Sequence, residues 1–147
     1  MGQQTNRPLS PHLTVYRWSP QMAISIFHRA TGFVMATAGM LTLLWWLSSI
    51  GGGRESYAVF QKYVISAGIE ATGMQTASNW FFRALALGVM FSFFQHLFSG
   101  LRHLVLDIGA GYELKTNRNW AIVAFIAAIF ATASMALYVA SRFMGIS

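Results

Sequence analysis

"WAIVAFIAAIFATASMALYVAS", residues 120 to 141, contains no charged side chain. At about 1.5 Å per residue, a helix over this stretch is about as long as the roughly 30 Å hydrocarbon core of a bilayer. Trp120 and Tyr138 stand near its two ends, where aromatic side chains anchor helices in the membrane interface. The stretch therefore predicts a membrane-spanning helix over about residues 120 to 144.

Two further apolar stretches precede it, over about residues 20 to 50 and about residues 80 to 108. At the start of the first, Ser19 is a predicted helix cap and Pro20 suits the first helical position. Three consecutive glycines at 51 to 53 end it, because glycine does not sustain a helix interior. The sequence predicts an all-α membrane protein with three transmembrane helices.

The whole chain, 1–147, is predicted to be a single membrane-anchor domain. Residues 1–19 form a polar cytoplasmic segment, and residues 51–79 form a periplasmic loop. In that loop Tyr57, Phe60 and Val64 recur at helical spacing, which fits either a short interfacial helix or an ordinary loop packed on a partner. The N-terminus is placed inside and the C-terminus outside because basic residues favour the cytoplasmic side. The inside set is Arg7, Arg17, Arg29, Arg102, Lys115 and Arg118, and the outside set is Arg54, Lys62, Arg83 and Arg142.

Composition excludes several classes of function. The chain has no cysteine, which excludes disulfides, thiolate zinc sites and cysteine-ligated iron–sulfur clusters. Its net charge is +6, but the basic residues form no dense patch, which argues against nucleic-acid binding.

The N-terminal residues lack the short apolar core of a secretory signal. A mature chain in a bacterial inner membrane is therefore expected, in preference to an imported mitochondrial subunit.

The second helix carries "HLFSGLRHLVLD", residues 96 to 107. His96 and His103 share one face about 10.5 Å apart, and Gly100 between them leaves space for something flat to approach the backbone. Histidine inside a membrane helix points to a functional site, although a neutral imidazole bonded to a neighbouring helix is the structural alternative. Because histidine ligates haem iron and bundles hold cofactors between facing helices, a haem site is predicted.

The distance of each histidine from the end of its helix indicates its role at this haem. His96 lies deeper and is the predicted axial ligand, whereas His28 and His103 lie near the helix ends, where the propionates would point. Arg29 supplies the counter-charge through paired hydrogen bonds. His96 and His103 cannot both ligate one haem from the same helix, and His12 is poorly placed. The other axial ligand is therefore expected from another polypeptide.

"SIFHRATG", residues 25 to 32, places Ser25 on the same side of the first helix as His28 and Arg29. A hydroxyl and a guanidinium there could hydrogen-bond a quinone oxygen. A serine in a membrane helix also commonly bonds back to its own helix carbonyl, and spacing alone favours that alternative.

Together with "RPLSPHLTVYRW", residues 7 to 18, these two motifs resemble the cytochrome b membrane-anchor subunit of succinate dehydrogenase. The resemblance covers nearly the whole chain. It implies a complex with a flavoprotein, an iron–sulfur protein and a second membrane anchor that supplies the other ligand of one shared haem b. Succinate is oxidised at the flavin and electrons pass to ubiquinone, so no succinate-oxidising site is expected in this chain.

Carried over motif by motif, the resemblance implies that His96 is the axial ligand and that Ser25 and Arg29 line the quinone pocket. His28, Arg29 and His103 would contact the haem propionates, with Gly100 beside the haem. Asp107 and Glu113 are hypothesised to deliver protons to the quinone. The alternative for Asp107 is a solvated ion pair with Arg102 or Lys115.

Three other functions are weighed against this one. A quinol:fumarate reductase anchor shares the architecture and the motifs. A haem-free anchor or assembly protein would use its histidines only for packing. A small transporter is disfavoured, because its polar groups would run through the midplane instead of gathering at one end.

Overall fold

A computed structural model describes residues 12, 14, 16–66 and 68–143. The regular elements in these ranges are all helical. They are α1 (Pro20–Gly51), α2 (Gly53–Phe60), α3 (Gly73–Asp107) and α4 (Leu114–Phe143). The predicted segment 1–19 lies mostly outside the described residues, as does the predicted end of the last helix at 144.

Helix α1 is continuous but contains a π-helical turn at Met35–Gly39. Pro20 occupies the first turn, as predicted. Ser19 does not cap through its side chain; instead its carbonyl accepts from the amides of Met22 at 3.0 Å and Ala23 at 3.2 Å. The helix ends at the glycine run, where Gly53 has a φ of 83° that side-chain-bearing residues rarely adopt.

The connection after α1 is more helical than a simple loop. Helix α2 continues as a π-helical turn at Gln61–Ile65, and this turn is fastened to the start of α3. Asn79 Nδ2 donates to the Lys62 carbonyl at 3.0 Å and Ser78 Oγ donates to the Tyr63 carbonyl at 2.8 Å. A helix around Tyr57 and Phe60 is therefore present.

Helix α3 begins at Gly73, before the predicted start near residue 80. Thr72 Oγ1 accepts from the Gln75 amide at 3.4 Å, and Gln75 Oε1 accepts from the Thr72 amide at 3.0 Å. This reciprocal capping box satisfies two free amides of the first turn, so the polar residues from 73 to 79 are helical too. Helix α4 likewise begins at Leu114, before the apolar stretch that predicted it.

Helices α1, α3 and α4 are each long and apolar enough to span a membrane, by length and composition. Helix α3, with 35 residues, is about 52 Å long, well above the roughly 30 Å hydrocarbon core. Large apolar side chains face outward, among them Phe33 at 70% and Phe130 at 73% exposure. The prediction of an all-α membrane protein with three spans is confirmed, and its sidedness stays a prediction.

Most side chains buried between the helices are small or polar, unlike those in the core of a soluble domain. On α4, Ala121, Ala124 and Ala128 are buried at helical spacing, and small residues allow membrane helices to approach closely. One face of α3 is also buried and consists of Ser92, Gln95, Ser99 and Arg102. The chain therefore turns its polar groups inward, toward the region that holds the histidines.

Candidate functional site

Three imidazoles meet where α1 faces α3. The rings of His28 and His96 stack with centroids 3.9 Å apart and planes 14° apart. The His103 ring meets His28 edge-on at 5.1 Å. His28 thus lies between the two histidines of α3, and the site is built from both helices, as the sequence predicts.

The position of His96 is set by groups of α1. Its Nδ1 lies 3.0 Å from the His28 carbonyl oxygen, which can only accept, so Nδ1 carries the proton and donates. The Nε2 atom has no hydrogen-bond partner among the described residues and keeps its lone pair. A metal-ligating histidine typically has this arrangement, in which a carbonyl fixes the tautomer through the other nitrogen.

Gly32 makes room for the His96 ring. A Cβ placed on Gly32 would lie 2.9 Å from Cε1 and 3.3 Å from Nδ1 of His96. The first of these distances is shorter than carbon atoms tolerate, so a side chain at residue 32 would displace the imidazole. At the preceding residue, Thr31 Oγ1 lies 3.5 Å from His96 Nδ1 while donating to the Phe27 carbonyl at 2.7 Å.

Ser99 fixes the His28 ring from the opposite helix. Its Oγ donates to the Gln95 carbonyl at 2.5 Å and lies 2.7 Å from His28 Nδ1. Because the single hydroxyl proton is used by the carbonyl, Ser99 accepts from His28 Nδ1–H. His28 therefore also carries its proton on Nδ1 and leaves Nε2 without a partner in the described part of the chain.

The space beside Gly100 is taken by a side chain of α1. A Cβ on Gly100 would lie 3.6 Å from Cε1 of His28, so the flat group that approaches the backbone here is the His28 imidazole. Spacing within α3 could not anticipate this, because the group comes from another helix. Contact between Gly100 and a haem stays a prediction.

Ser25 and Arg29 lie near the start of α1. Arg29 is exposed and Ser25 is half-buried, and across the described ranges neither side chain has a hydrogen bond or an ion pair. Thr31, Thr37 and Thr42 of the same helix each donate to a carbonyl one turn back. Ser25 does not, so the alternative role of Ser25, a hydrogen bond to a carbonyl of its own helix, is absent from the structure.

Asp107 and Glu113 flank the turn between α3 and α4, at the end of the bundle that holds His103. Both are exposed. Asp107 makes no ion pair with a described residue, and Arg102 Nη2 donates to Asn117 Oδ1. The ion-pair alternative for Asp107 is therefore absent from the structure, and a role in proton delivery stays a prediction.

Sequence reasoning did not assign roles to Gly32 and Ser99. Gly32 belongs to the motif "SIFHRATG", and its signal was a glycine one turn beyond His28 on a helix that must approach another. Ser99 is three residues after His96 and next to Gly100, which places it on the same side of α3. Neither signal identifies the imidazole that each residue contacts, since both contacts cross between helices.

A separate apolar groove of about 550 Å³ lies between α1 and the middle of α3. No ionisable residue lines it, so it offers no group for redox or proton chemistry. Its lining is Gly39, Thr42, Leu43, Trp46, Phe60, Leu85, Ala86, Val89, Met90, Phe93, Phe94 and Met135.

Residues 3–135 match the family described as succinate dehydrogenase/fumarate reductase transmembrane subunit. The chain belongs to this family. The resemblance predicted from the three motifs is thereby confirmed over most of the chain.

Individual relatives are named as cytochrome b subunits of succinate dehydrogenase. The mitochondrial cytochrome b560 subunit of Sus scrofa is 34% identical over 136 residues, covering 90% of this chain and 71% of the relative. The cytochrome b560 subunit of Reclinomonas americana is 37% identical, covering 75% and 70%. The cytochrome b556 subunit of Paracoccus denitrificans is 36% identical, covering 75% and 74%. Mitochondrial and bacterial proteins are thus similar to this chain to about the same degree.

Proposed function

We propose that the chain is the membrane-anchoring cytochrome b subunit of a succinate:ubiquinone oxidoreductase. In this proposal it binds one haem b together with a second anchor subunit and forms part of the quinone-reduction site. The observation that carries the proposal is the state of His96: its Nδ1–H is committed to the His28 carbonyl and its Nε2 is unpartnered among the described residues.

The donor set fits a haem better than a bare metal ion. Among the described residues, no three His, Cys, Asp or Glu side chains are placed to share one ion. A histidine whose tautomer is fixed through its other nitrogen is suited to ligate a haem iron. His96 would ligate the iron, and His28, His103 and Arg29 would hold the propionates. When bound, the haem supplies one-electron redox chemistry.

At the quinone, Ser25 Oγ and the Arg29 guanidinium would donate hydrogen bonds to a carbonyl oxygen of the head group. A charged donor gives the stronger of the two bonds, because charge-assisted hydrogen bonds are roughly twice as strong as neutral ones. Reduction of a quinone also consumes two protons. Asp107 and Glu113, exposed at the same end of the bundle, would take up those protons from water and pass them inward.

The rest of the complex would supply succinate oxidation. A flavoprotein and an iron–sulfur protein would dock on the cytoplasmic side, at the end of the bundle that carries the histidines, and the second anchor would provide the other haem ligand. The chain itself would have no succinate-oxidising site. We place the complex in a bacterial inner membrane.

Co-purification tests this assignment. A tagged chain extracted in mild detergent should retain a flavoprotein and an iron–sulfur protein and should reduce ubiquinone with succinate. A tagged chain with no such partners and no succinate-dependent quinone reduction would contradict the proposal.

A quinol:fumarate reductase anchor is the second candidate, since the matching family is described by both enzymes. Comparing turnover of the same purified complex with succinate plus ubiquinone and with fumarate plus a low-potential quinol separates the two. We expect the first reaction to be faster; a preference for fumarate reduction would select the second candidate.

A further inference from the structure

We infer that Ser99 is a positioning residue for the haem ligand, acting through His28. This inference rests on the proposed haem site. Ser99 is fully buried on α3, three residues beyond His96, and its hydroxyl touches an imidazole of the opposite helix.

The hydroxyl has a defined direction. Ser99 Oγ donates to the Gln95 carbonyl at 2.5 Å and has a further carbonyl, that of His96, at 3.2 Å. Its proton is thereby used within α3, and its lone pair is left for His28 Nδ1–H at 2.7 Å. The His28 imidazole is thus held in one tautomer and one ring orientation.

That orientation determines what His96 meets. Held by Ser99, the His28 ring lies flat against the His96 ring at 3.9 Å with planes 14° apart. Gly32 approaches the His96 ring as well, with a notional Cβ only 2.9 Å from Cε1. The ring of His96 therefore stacks on one imidazole of α1 and closely approaches the α1 backbone at Gly32, while the His28 carbonyl accepts from its Nδ1.

Removal of the Ser99 hydroxyl would take away the side-chain acceptor of His28 Nδ1–H and so loosen the orientation of the ring. His96 would keep its bond to the His28 carbonyl, which is backbone, but would lose a fixed neighbour on one side. We therefore expect the haem to remain bound with a wider spread of ligand orientations. In a ferric low-spin haem such a spread broadens the electron paramagnetic resonance signal and shifts its g values.

A pair of equally shaped substitutions isolates the hydroxyl. Ser99→Thr and Ser99→Val add the same bulk to the buried site, but only threonine keeps a donor and acceptor. Ser92 offers a matched control on the same face of α3, since it is also buried and its hydroxyl donates to the Gly88 carbonyl at 2.8 Å. Among the described residues, Ser92 makes no hydrogen bond to an imidazole.

The complete complex is purified from its own membranes for wild type, S99T, S99V, S92T and S92V. Haem content and the paramagnetic resonance spectrum of the oxidised haem are recorded for each. We expect S99V to show a broader, shifted signal than S99T, with S92V and S92T alike. If loss of haem accompanies S99V but not S99T, the hydroxyl is again the cause, which also supports the inference.

Two results would overturn it and have different meanings. Superimposable spectra and equal haem content in S99T and S99V, with haem present in wild type, would show that Ser99 serves only to pack α3. Absence of haem from the wild-type complex would remove the proposed function itself and, with it, the ligand that Ser99 is inferred to position.

Discussion

At the scale of single residues, the absence of a side chain at Gly32 leaves the space that the His96 imidazole occupies. The Gly32→Ala substitution would place a methyl group 2.9 Å from His96 Cε1, so the ring or the helix that carries it must shift. Substitutions that disturb the groups around a metal ligand typically cost about 10- to 100-fold in affinity. We expect Gly32→Ala to lower the haem content of the purified complex strongly, as measured by the pyridine haemochrome assay.

Gly88→Ala is the control, because a Cβ at Gly88 has open space around it within α3. It should leave haem content unchanged, or raise stability slightly through better helix propensity. Equal haem content in the two variants would show that the Gly32–His96 contact has no bearing on haem binding.

Substitution of Arg29 tests its proposed role at the quinone separately from succinate oxidation. We expect Arg29→Ala to reduce succinate:ubiquinone reductase turnover at least tenfold, because a charged hydrogen bond worth about 1.5–3 kcal/mol would be lost at the quinone. Succinate oxidation with an artificial acceptor that takes electrons before the membrane should stay near wild type. Arg118, also exposed and near the same end of the bundle, is the control, and Arg118→Ala should leave both activities intact.

A parallel fall of both activities in Arg29→Ala would point to failed assembly. Full quinone reductase activity in Arg29→Ala would remove Arg29 from the quinone site.

At the scale of elements, the end of α3 is joined to the start of α4 by Arg102 and Asn117. Arg102 is only 7% exposed, its Nη2 donates to Asn117 Oδ1, and its Nε has no partner among the described residues. Asn117→Ala would leave a buried guanidinium with one acceptor fewer. Since an unsatisfied buried donor costs about 1–3 kcal/mol, we expect a measurably lower unfolding midpoint of the purified complex on heating.

Asn119→Ala tests the same chemical change on an exposed position of the same helix. It should leave the midpoint unchanged. A midpoint for Asn117→Ala equal to that of Asn119→Ala would mean that the Arg102–Asn117 bond does not stabilise the joint between the helices.

The helices themselves follow from apolar length, which is why the three spans were predictable from the sequence. Their beginnings were not, because the capping box of Thr72 and Gln75 and the polar first turn of α4 extend the helices beyond the apolar stretches. Within the site, spacing on α3 predicted that His96 and His103 share a face. It could not predict that His28 fills the space between them, since contacts between helices depend on how α1 crosses α3.

At the scale of the whole molecule, the predicted sidedness can be tested directly because the chain has no cysteine. A single cysteine at Thr14, before α1, or at Ser66, between α2 and α3, is exposed in either case. With the N-terminus inside, a membrane-impermeant maleimide applied to cells with a permeabilised outer membrane should label Ser66→Cys but not Thr14→Cys. Both should be labelled after lysis, and the reverse pattern in cells would contradict the orientation.

The orientation has a consequence for the complex. Only with the N-terminus inside do Asp107, Glu113 and the three imidazoles lie on the cytoplasmic side, where a flavoprotein and an iron–sulfur protein would be assembled. In a reversed orientation the chain could still bind a haem. The proposed quinone site would then lie on the opposite side of the membrane from its electron donor.

The most direct test of the proposed haem site is the visible spectrum of the tagged complex, purified from its own membranes in mild detergent, before and after addition of succinate. We expect succinate to produce the α-band of a reduced b-type haem and His96→Ala to abolish the band. A haem reducible only by dithionite would contradict the proposed electron donor. No haem band in a complex that keeps its partners would contradict the role of His96 and leave the chain as a haem-free anchor.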